Sequence, residues 1–351
     1  MSGTQPLCAQ FDVLLLDLDG VVYAGSAAIP HAVESLTAAH AAGVRLAFVT
    51  NNASRTPESI AEHLTGLGLN VDPAEVVTSA QAGARVLRER HQAGSPVLVV
   101  GGEGLIQAVR QRGFLPVSAV SEQQQPPAAV IQGFSPDVGW QQLAEATYAV
   151  RAGADFIATN TDRTIPTARG IGPGNGLLVG VVEAATGVAP VVAGKPHTPL
   201  MDESAERTGA KRPLVVGDRL DTDIEGANNA GLPSLLVLTG VSSLADVARA
   251  PVSQRPTYLG RDLRALLSAE VVALSGPAAT SIANLPDQDA ADDRPSVDGG
   301  ASPSSLTSDD AALAAAGVAV RAAWEAADHG RSPTGAEAAL AAAAQRLGLP
   351  T

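Results

Sequence analysis

The sequence predicts an α/β fold built on a parallel sheet, with a second α/β unit inserted into the first and a helical extension at the carboxyl end. Three observations predict it. Short unbroken apolar runs alternate with stretches of helical spacing, and these runs end on Asp, Thr or Ser. The pattern of residues 1–80 gives way to a long segment with its own cycle and resumes near residue 192.

Residues 13–16, Val-Leu-Leu-Leu, are an apolar run of the kind buried on both faces of a parallel sheet, and the run ends at Asp17-Leu18-Asp19-Gly20. Helical spacing over residues 31–42, stopped by Gly43, leads to a second apolar run at 44–49 that closes on Thr50-Asn51-Asn52. Pro57 opens a helix to residue 67, and Val76-Val77 runs into Thr78-Ser79 as a third strand end. Much later, Pro213-Leu214-Val215-Val216 enters Gly217-Asp218-Arg219-Leu220-Asp221-Thr222-Asp223, a helix follows to Ala230-Gly231, and residues 234–237 form the next strand. Ligands of open α/β sheets bind outside the carboxyl ends of the strands, so these polar ends mark one candidate site.

Between the two halves lie strands at 97–100, 129–131 and 155–158 and helices from Glu103 and around 143–151, enough for an inserted domain. The expected organisation is a core of residues 1–80 and 192–270, an inserted α/β domain at 81–191, a flexible linker at 271–308 rich in Ala, Pro, Ser, Asp and Gly, and an Ala-rich helical extension at 309–351. Helices at 311–328 and 335–347 make up the extension, with Asp309 or Asp310 as a cap.

Composition excludes several functions. With 36 acidic against 23 basic residues the formal charge is −13, which repels nucleic acid and anionic membranes. Only 3% of residues are aromatic, too few for base-stacking platforms, so Ala, Val and Leu must fill the core. The single cysteine, Cys8, allows neither a disulfide framework nor a cysteine metal site and fits a reducing compartment. No apolar run is long enough to span a membrane and no basic leader precedes the first strand, so a cytoplasmic protein is expected.

The chemistry sits at the strand ends. Asp17 and Asp19, at i and i+2 across a strand terminus, can face one small volume, one attacking phosphorus and the other moving a proton. A carboxylate that attacks a phosphate ester needs charge neutralisation, which Mg²⁺ held by oxygen ligands supplies; Asp17 and Asp218 are suitable ligands. Asp223 could bind the metal or orient its ligands, and orientation is the favoured role. Thr50, Asn51 and Lys195 in Gly194-Lys195-Pro196 can donate to the phosphate oxygens.

Together, Asp17-Leu18-Asp19-Gly20-Val21-Val22-Tyr23, Thr50-Asn51-Asn52, Gly194-Lys195-Pro196 and Gly217 to Asp223 resemble the ordered signature of haloacid dehalogenase superfamily phosphatases. The likeness covers residues 11–267 and is to the subgroup of phosphoglycolate, glycerol-3-phosphate and 4-nitrophenyl phosphatases and NagD-like nucleotidases. It implies a Rossmann-like core with an inserted cap. Asp17 would then form an aspartyl-phosphate, and Asp19 would protonate the leaving alcohol and activate water. Mg²⁺ would be held by Asp17, the Asp19 carbonyl and Asp218. The substrate would be a small phosphorylated metabolite, glycerol 3-phosphate or 2-phosphoglycolate, with cap residues Asn160, Asp162 and Asn175 facing it. The resemblance also allows a homodimer paired through the caps. It says nothing of the extension.

Each residue has a plainer reading. A lone Asp-x-Asp-Gly is most often a surface turn; Asp218 and Asp223 could serve a helix terminus; Thr50 could be a helix cap; Asn160, Asp162 and Asn175 could merely form turns. The order of all four elements argues against these readings for the acids. His31, His40, His91 and His197 lack metal-ligand spacing, and Trp140 and Trp324 read as packing anchors. Three other functions stay open: a nucleotide monophosphatase, a phosphotransferase or mutase sharing the aspartyl-phosphate step, and a regulatory binder with a vestigial site acting through its extension.

Overall fold

The computed structural model describes residues 5–120, 126–167, 169–275, 308–332 and 335–349. The chain runs β1 (Val13–Leu16), a small hairpin of β2 (Tyr23–Ala24) and β3 (Ala27–Ala28), α1 (Ala32–Ala41), β4 (Arg45–Thr50), α2 (Pro57–Gly66), β5 (Val76–Thr78) and α3 (Ser79–Arg90). There follow β6 (Pro96–Val100), α4 (Glu103–Gln111), β7 (Leu115–Val117), β8 (Ala129–Gln132), α5 (Trp140–Arg151) and β9 (Asp155–Ala158). A hairpin of β10 (Thr164–Thr167) and β11 (Gly170–Pro173) leads to α6 (Asn175–Thr186) and β12 (Val191–Val192). The chain then returns through α7 (Pro199–Thr208), β13 (Pro213–Gly217), α8 (Glu225–Asn229), β14 (Ser234–Val237), α9 (Leu244–Arg249), β15 (Tyr258–Gly260) and β16 (Val272–Ala273) to α10 (Ser308–Asp328) and α11 (Ala336–Leu347).

Seven strands form the first sheet in the order β16-β15-β14-β13-β1-β4-β5, parallel except where β16 pairs antiparallel with β15. A second sheet, β12-β9-β8-β6-β7, is parallel throughout. The fold is thus the expected α/β core with a second α/β unit between its halves. Every residue of β1 is buried, and its side chains alternate between two apolar clusters: Leu14 and Leu16 face α1 and α2, whereas Val13 and Leu15 face α3 and α7. The second cluster continues without a break into the inserted unit through Val97, Leu105, Val109, Ala129 and Ile131. Helix α3, capped by Thr78 and Gln81 in a reciprocal box, is the joint between the two sheets.

Two expectations change. Strand β16 lies inside the segment read as linker, too short to show periodicity in sequence; residues 276–307 lie outside the described residues. The helices of the extension complete the first sheet's outer layer: Ala312, Ala316, Ala319, Val320 and Trp324 of α10 and Leu340 and Leu347 of α11 join Leu220, Ile224, Leu244, Val247 and Val272 in one buried cluster. A Cβ on Gly317 would lie 2.3 Å from Val272 Cγ1, so this contact needs a glycine. Trp324 donates Nε1–H to the Val247 carbonyl at 2.7 Å, and Arg255 stacks on its ring at 4.9 Å while forming two hydrogen bonds with Asp328. Trp324 is the anchor expected. Trp140, at the first turn of α5, is 76% exposed and anchors nothing there. Trp324→Ala should lower stability by about 3–5 kcal/mol, read as a shift of the urea midpoint at unchanged slope.

Candidate active site

The polar strand ends converge as the topology requires. Asp17 and Asp19 follow β1, Thr50 and Asn51 end β4, Lys195 follows β12, and Asp218 follows β13, with Asp223 in the turn of helix at Leu220–Ile224. Lys195 is 3% exposed and lies at the centre: Nζ donates to Asp17 Oδ1 at 2.5 Å, to Asp223 Oδ1 at 2.6 Å and to the Val49 carbonyl at 3.2 Å. All three of its protons are used. Asp223 Oδ2 accepts from the Arg219 amide at 3.1 Å, so both oxygens of Asp223 are committed to protein donors. This suits the orienting role expected for it.

Asp218 differs. Its Oδ2 accepts from the Val241 amide at 2.7 Å, but Oδ1 is buried with no hydrogen-bond partner. Carboxylate oxygens of Asp17, Asp218 and Asp223 lie within 4.8 Å of one another. Backbone packs against the group: a Cβ on Gly240 would lie 1.9 Å from Asp218 Oδ2, and on Gly20, at φ +82°, 2.5 Å from the same atom. Both positions therefore need glycine, the second for its left-handed conformation as well. Thr239 Oγ1 fixes this turn by donating to the Gly20 carbonyl at 2.6 Å. A hard divalent cation fits here: the donors are oxygens, one is buried and unpaired, and three carboxylates outnumber the one ammonium.

The electrostatics agree. Burial lifts the Asp17 carboxyl well above its ordinary range against the pull of Lys195. Burial, then the Asp223 charge, pushes Asp218 up to about 7. Burial opposes the charge on Lys195, but Asp17 and Asp223 outweigh it and hold its pKa above the ordinary value, so the ammonium persists. Asp19 is exposed at the mouth; burial still raises it, opposed by His63, Lys195 and Arg55. His63 packs edge-on against Tyr23 at 4.9 Å, and Tyr23 pairs through its backbone with Asp19. Neither His63 nor Arg55 belongs to a motif, and only the fold shows that they face Asp19.

The amides have different work from that expected. Asn51 Oδ1 accepts from the Lys195 amide at 2.8 Å, and Nδ2 donates to the Lys195 carbonyl at 3.0 Å and to both Asp162 oxygens at 3.3 Å. Its carbonyl accepts from Asn160 Nδ2 at 2.7 Å and Ser79 Oγ at 2.6 Å. Asn51 and Asn160 thus join the inserted unit to the core, with their side chains already occupied by protein partners. Asn175, placed above among the substrate contacts, is instead 1% exposed and donates to the Asn160 carbonyl at 2.8 Å, because the start of α6 buries it beneath the loop it supports. Asp162 does reach the site, held by Asn51. Thr50 Oγ1 accepts from the Asn52 amide at 3.1 Å, which leaves its hydroxyl proton for a ligand.

Comparisons with known proteins follow the same lines. A haloacid dehalogenase-like hydrolase model matches residues 14–115 and a related HAD-hydrolase-like model residues 192–266. The chain is 49% identical over 260 residues to D-glycerol 3-phosphate phosphatase of Mycobacterium tuberculosis, a match spanning 74% of this chain and 72% of that protein. It is 39% identical to acid sugar phosphatase of Staphylococcus aureus over 72% of this chain and 96% of that one. Among solved structures, glycerol phosphate phosphatase from M. tuberculosis in complex with magnesium superposes with a TM-score of 0.82 at 42% identity, covering 99% of this chain and 100% of that one, extension included. With its four sequence elements meeting in one site and these relatives sharing most of its length, the chain belongs to the haloacid dehalogenase-like hydrolase family.

Proposed function

We propose that this protein is a Mg²⁺-dependent phosphomonoester phosphatase that acts on a small phosphorylated metabolite through an aspartyl-phosphate on Asp17. The carboxylate triad around Lys195 with its unpaired Asp218 oxygen carries the reading. Glycerol 3-phosphate is the first substrate to expect, from the likeness to the mycobacterial enzyme, and 2-phosphoglycolate the second. Lys195 fixes Oδ1 of Asp17, and no described residue donates to its other oxygen. A carboxylate oxygen of Asp17 attacks phosphorus and the ester P–O bond breaks, with Asp19 giving its proton to the departing alkoxide. Asp19 then takes a proton from water as that water attacks the aspartyl-phosphate and frees inorganic phosphate. Thr50 has a hydroxyl proton to donate to a phosphoryl oxygen, while Lys195, whose three protons go to Asp17, Asp223 and the Val49 carbonyl, contributes its positive charge beside the nucleophile. Asp17 and Asp218, with the Asp19 carbonyl, would hold Mg²⁺, which when bound offsets charge on the phosphoryl group.

Among the described residues no helix is long and apolar enough to cross a membrane. The inserted unit serves as the cap. It also presents an apolar row to solvent, Leu177 and Val181 on α6 with Val188 and Val191 beyond it, beside the edge strand β12. That row supports pairing with a second copy of this chain.

Phosphate release from a panel of small phosphate esters should require Mg²⁺, stop with EDTA, and fall roughly a thousand-fold or more in Asp17→Asn at unchanged circular dichroism; full activity in that variant overturns the reading. Because burial raises Asp17 and pushes Asp218 up to about 7, and both must be ionised to hold a cation, Mg²⁺ affinity by calorimetry should weaken by about tenfold or more per pH unit as pH falls below 7. Light scattering should give the mass of a dimer for the wild type and of a monomer for Val181→Glu; a monomeric wild type would exclude the pairing.

A further inference from the structure

We infer that Glu203 is a positioning residue, a pin that sets the cap's angle on the core and through it the fit of the substrate's leaving group. Its carboxylate is 5% exposed and belongs to none of the four sequence elements of the site. From the cap side Arg112, which ends α4, donates Nη2–H to Oε1 at 2.7 Å and Oε2 at 2.8 Å. From the core side Arg207, one turn along α7, donates Nη2–H to Oε1 at 2.7 Å and also reaches the carbonyl of Val76 on β5. Arg85 of the joining helix α3 stands 3.8 Å from Oε2 and is itself held by Glu206 and Glu89. One buried carboxylate thus gathers cations from the core, the joint and the cap.

The position of this pin gives it leverage. Among the polar contacts between cap and core, which include Gln107 with Glu58 and the Gly104 amide with the Ser54 carbonyl, two are built around buried or part-buried side chains. One is Asn51 with Asn160 and Asp162, beside the reacting groups. The other is Glu203. Between them runs the shared apolar cluster of Leu87, Leu105, Val109 and Leu200, which is non-directional and fixes distance better than angle. Charge-assisted hydrogen bonds that reach one carboxylate from opposite sides, from Arg112 and Arg207, restrict its angle more than apolar contact does. Helix α7 begins just after the Lys195 loop, but Lys195 itself is fixed by Asp17, Asp223 and Asn51, so the pin's own task is to anchor the cap. Loosening it should leave the phosphate and Lys195 end intact, because those contacts belong to the core, and degrade what the cap contributes, which is contact with the alcohol portion of the substrate.

The kinetic part of the test rests on the phosphatase reading; hydrogen exchange does not. Glu203→Gln keeps the shape and removes the charge, and Arg112→Met removes the cap's half of the contact. Each should raise KM for glycerol 3-phosphate roughly tenfold with kcat little changed, and the double variant should be no worse than either, since both break one interaction. KM for methyl phosphate, whose leaving group is too small to reach the cap, should stay as in the wild type. Amide exchange should quicken in α4 and at residues 159–162 but not in β13. Equal losses on both substrates, additive effects, unchanged exchange in α4, or failure of both variants to fold would overturn the pin. A wild type inactive on both esters would instead defeat the phosphatase reading, and the exchange data alone would then judge Glu203.

Discussion

The ammonium of Lys195 holds together three segments that the chain brings from distant places. Its partners are Asp17 at the end of β1, Asp223 beyond β13 and the carbonyl of Val49 near the end of β4. Removing a cation from such a buried group leaves uncompensated carboxylates and costs about 3–5 kcal/mol, whereas the intact network is worth little as net stability. The arrangement is therefore best understood as a device for geometry. Asp17 is kept from rotating because one oxygen is tied, Asp223 is kept from competing for a cation because both of its oxygens are taken, and only Asp218 is left with an unsatisfied buried oxygen. The strain of that one atom is the property a divalent cation relieves.

Everything else in the fold either delivers these groups or restrains them. Parallel strands place their carboxyl ends side by side, so Asp17, Thr50 and Asp218 meet because β1 lies between β4 and β13. Glycines at 20 and 240 let backbone close on Asp218 where any side chain would collide. Helices α10 and α11 reach the same neighbourhood from behind, packing on Leu220 and Ile224, the residues that flank Asp221 to Asp223. The extension is in this sense part of the wall that supports the site. That removes the main motive for treating it as an independent binding module.

What was legible in the sequence follows from range. Asp17, Asp19, Thr50 and Asp218 could be picked out because a strand end is a local pattern, an apolar run stopping at a polar residue, and Lys195 and Asp223 because they stand in order with those ends. The direction of an amide is not local. Asn51 stands beside Thr50 yet spends its side chain on Lys195 and Asp162, more than 100 positions away, and Asn175 is buried by a helix that its glycine-rich lead-in disguised. The packing of α10 was hidden for a related reason: apart from Val320 and Trp324 its buried face is Ala and Gly, whose contacts depend on close approach and leave little hydrophobic pattern to read. Glu203, Arg112 and Arg207 look like ordinary solvated charges until α3 brings the end of α4 to α7.

Two kinds of contact thus divide the work between the sheets. On the proposed reading, the core sheet, with its motifs at strand ends, would handle what is common to phosphate esters: charge, the nucleophile and the proton. The second sheet meets this region at Asn51, where the Asp162 carboxylate accepts from Asn51 Nδ2 with both oxygens at 3.3 Å. A carboxylate so lightly held is sensitive to small rotations of the unit that carries it. A fold that must recognise one alcohol among many therefore gains more from fixing the angle of its cap at a distance than from adding bonds at Asn51, where each would occupy a group the substrate needs. The buried Glu203 with its arginines lies at the place where that constraint acts with the longest arm and the least interference with the chemistry.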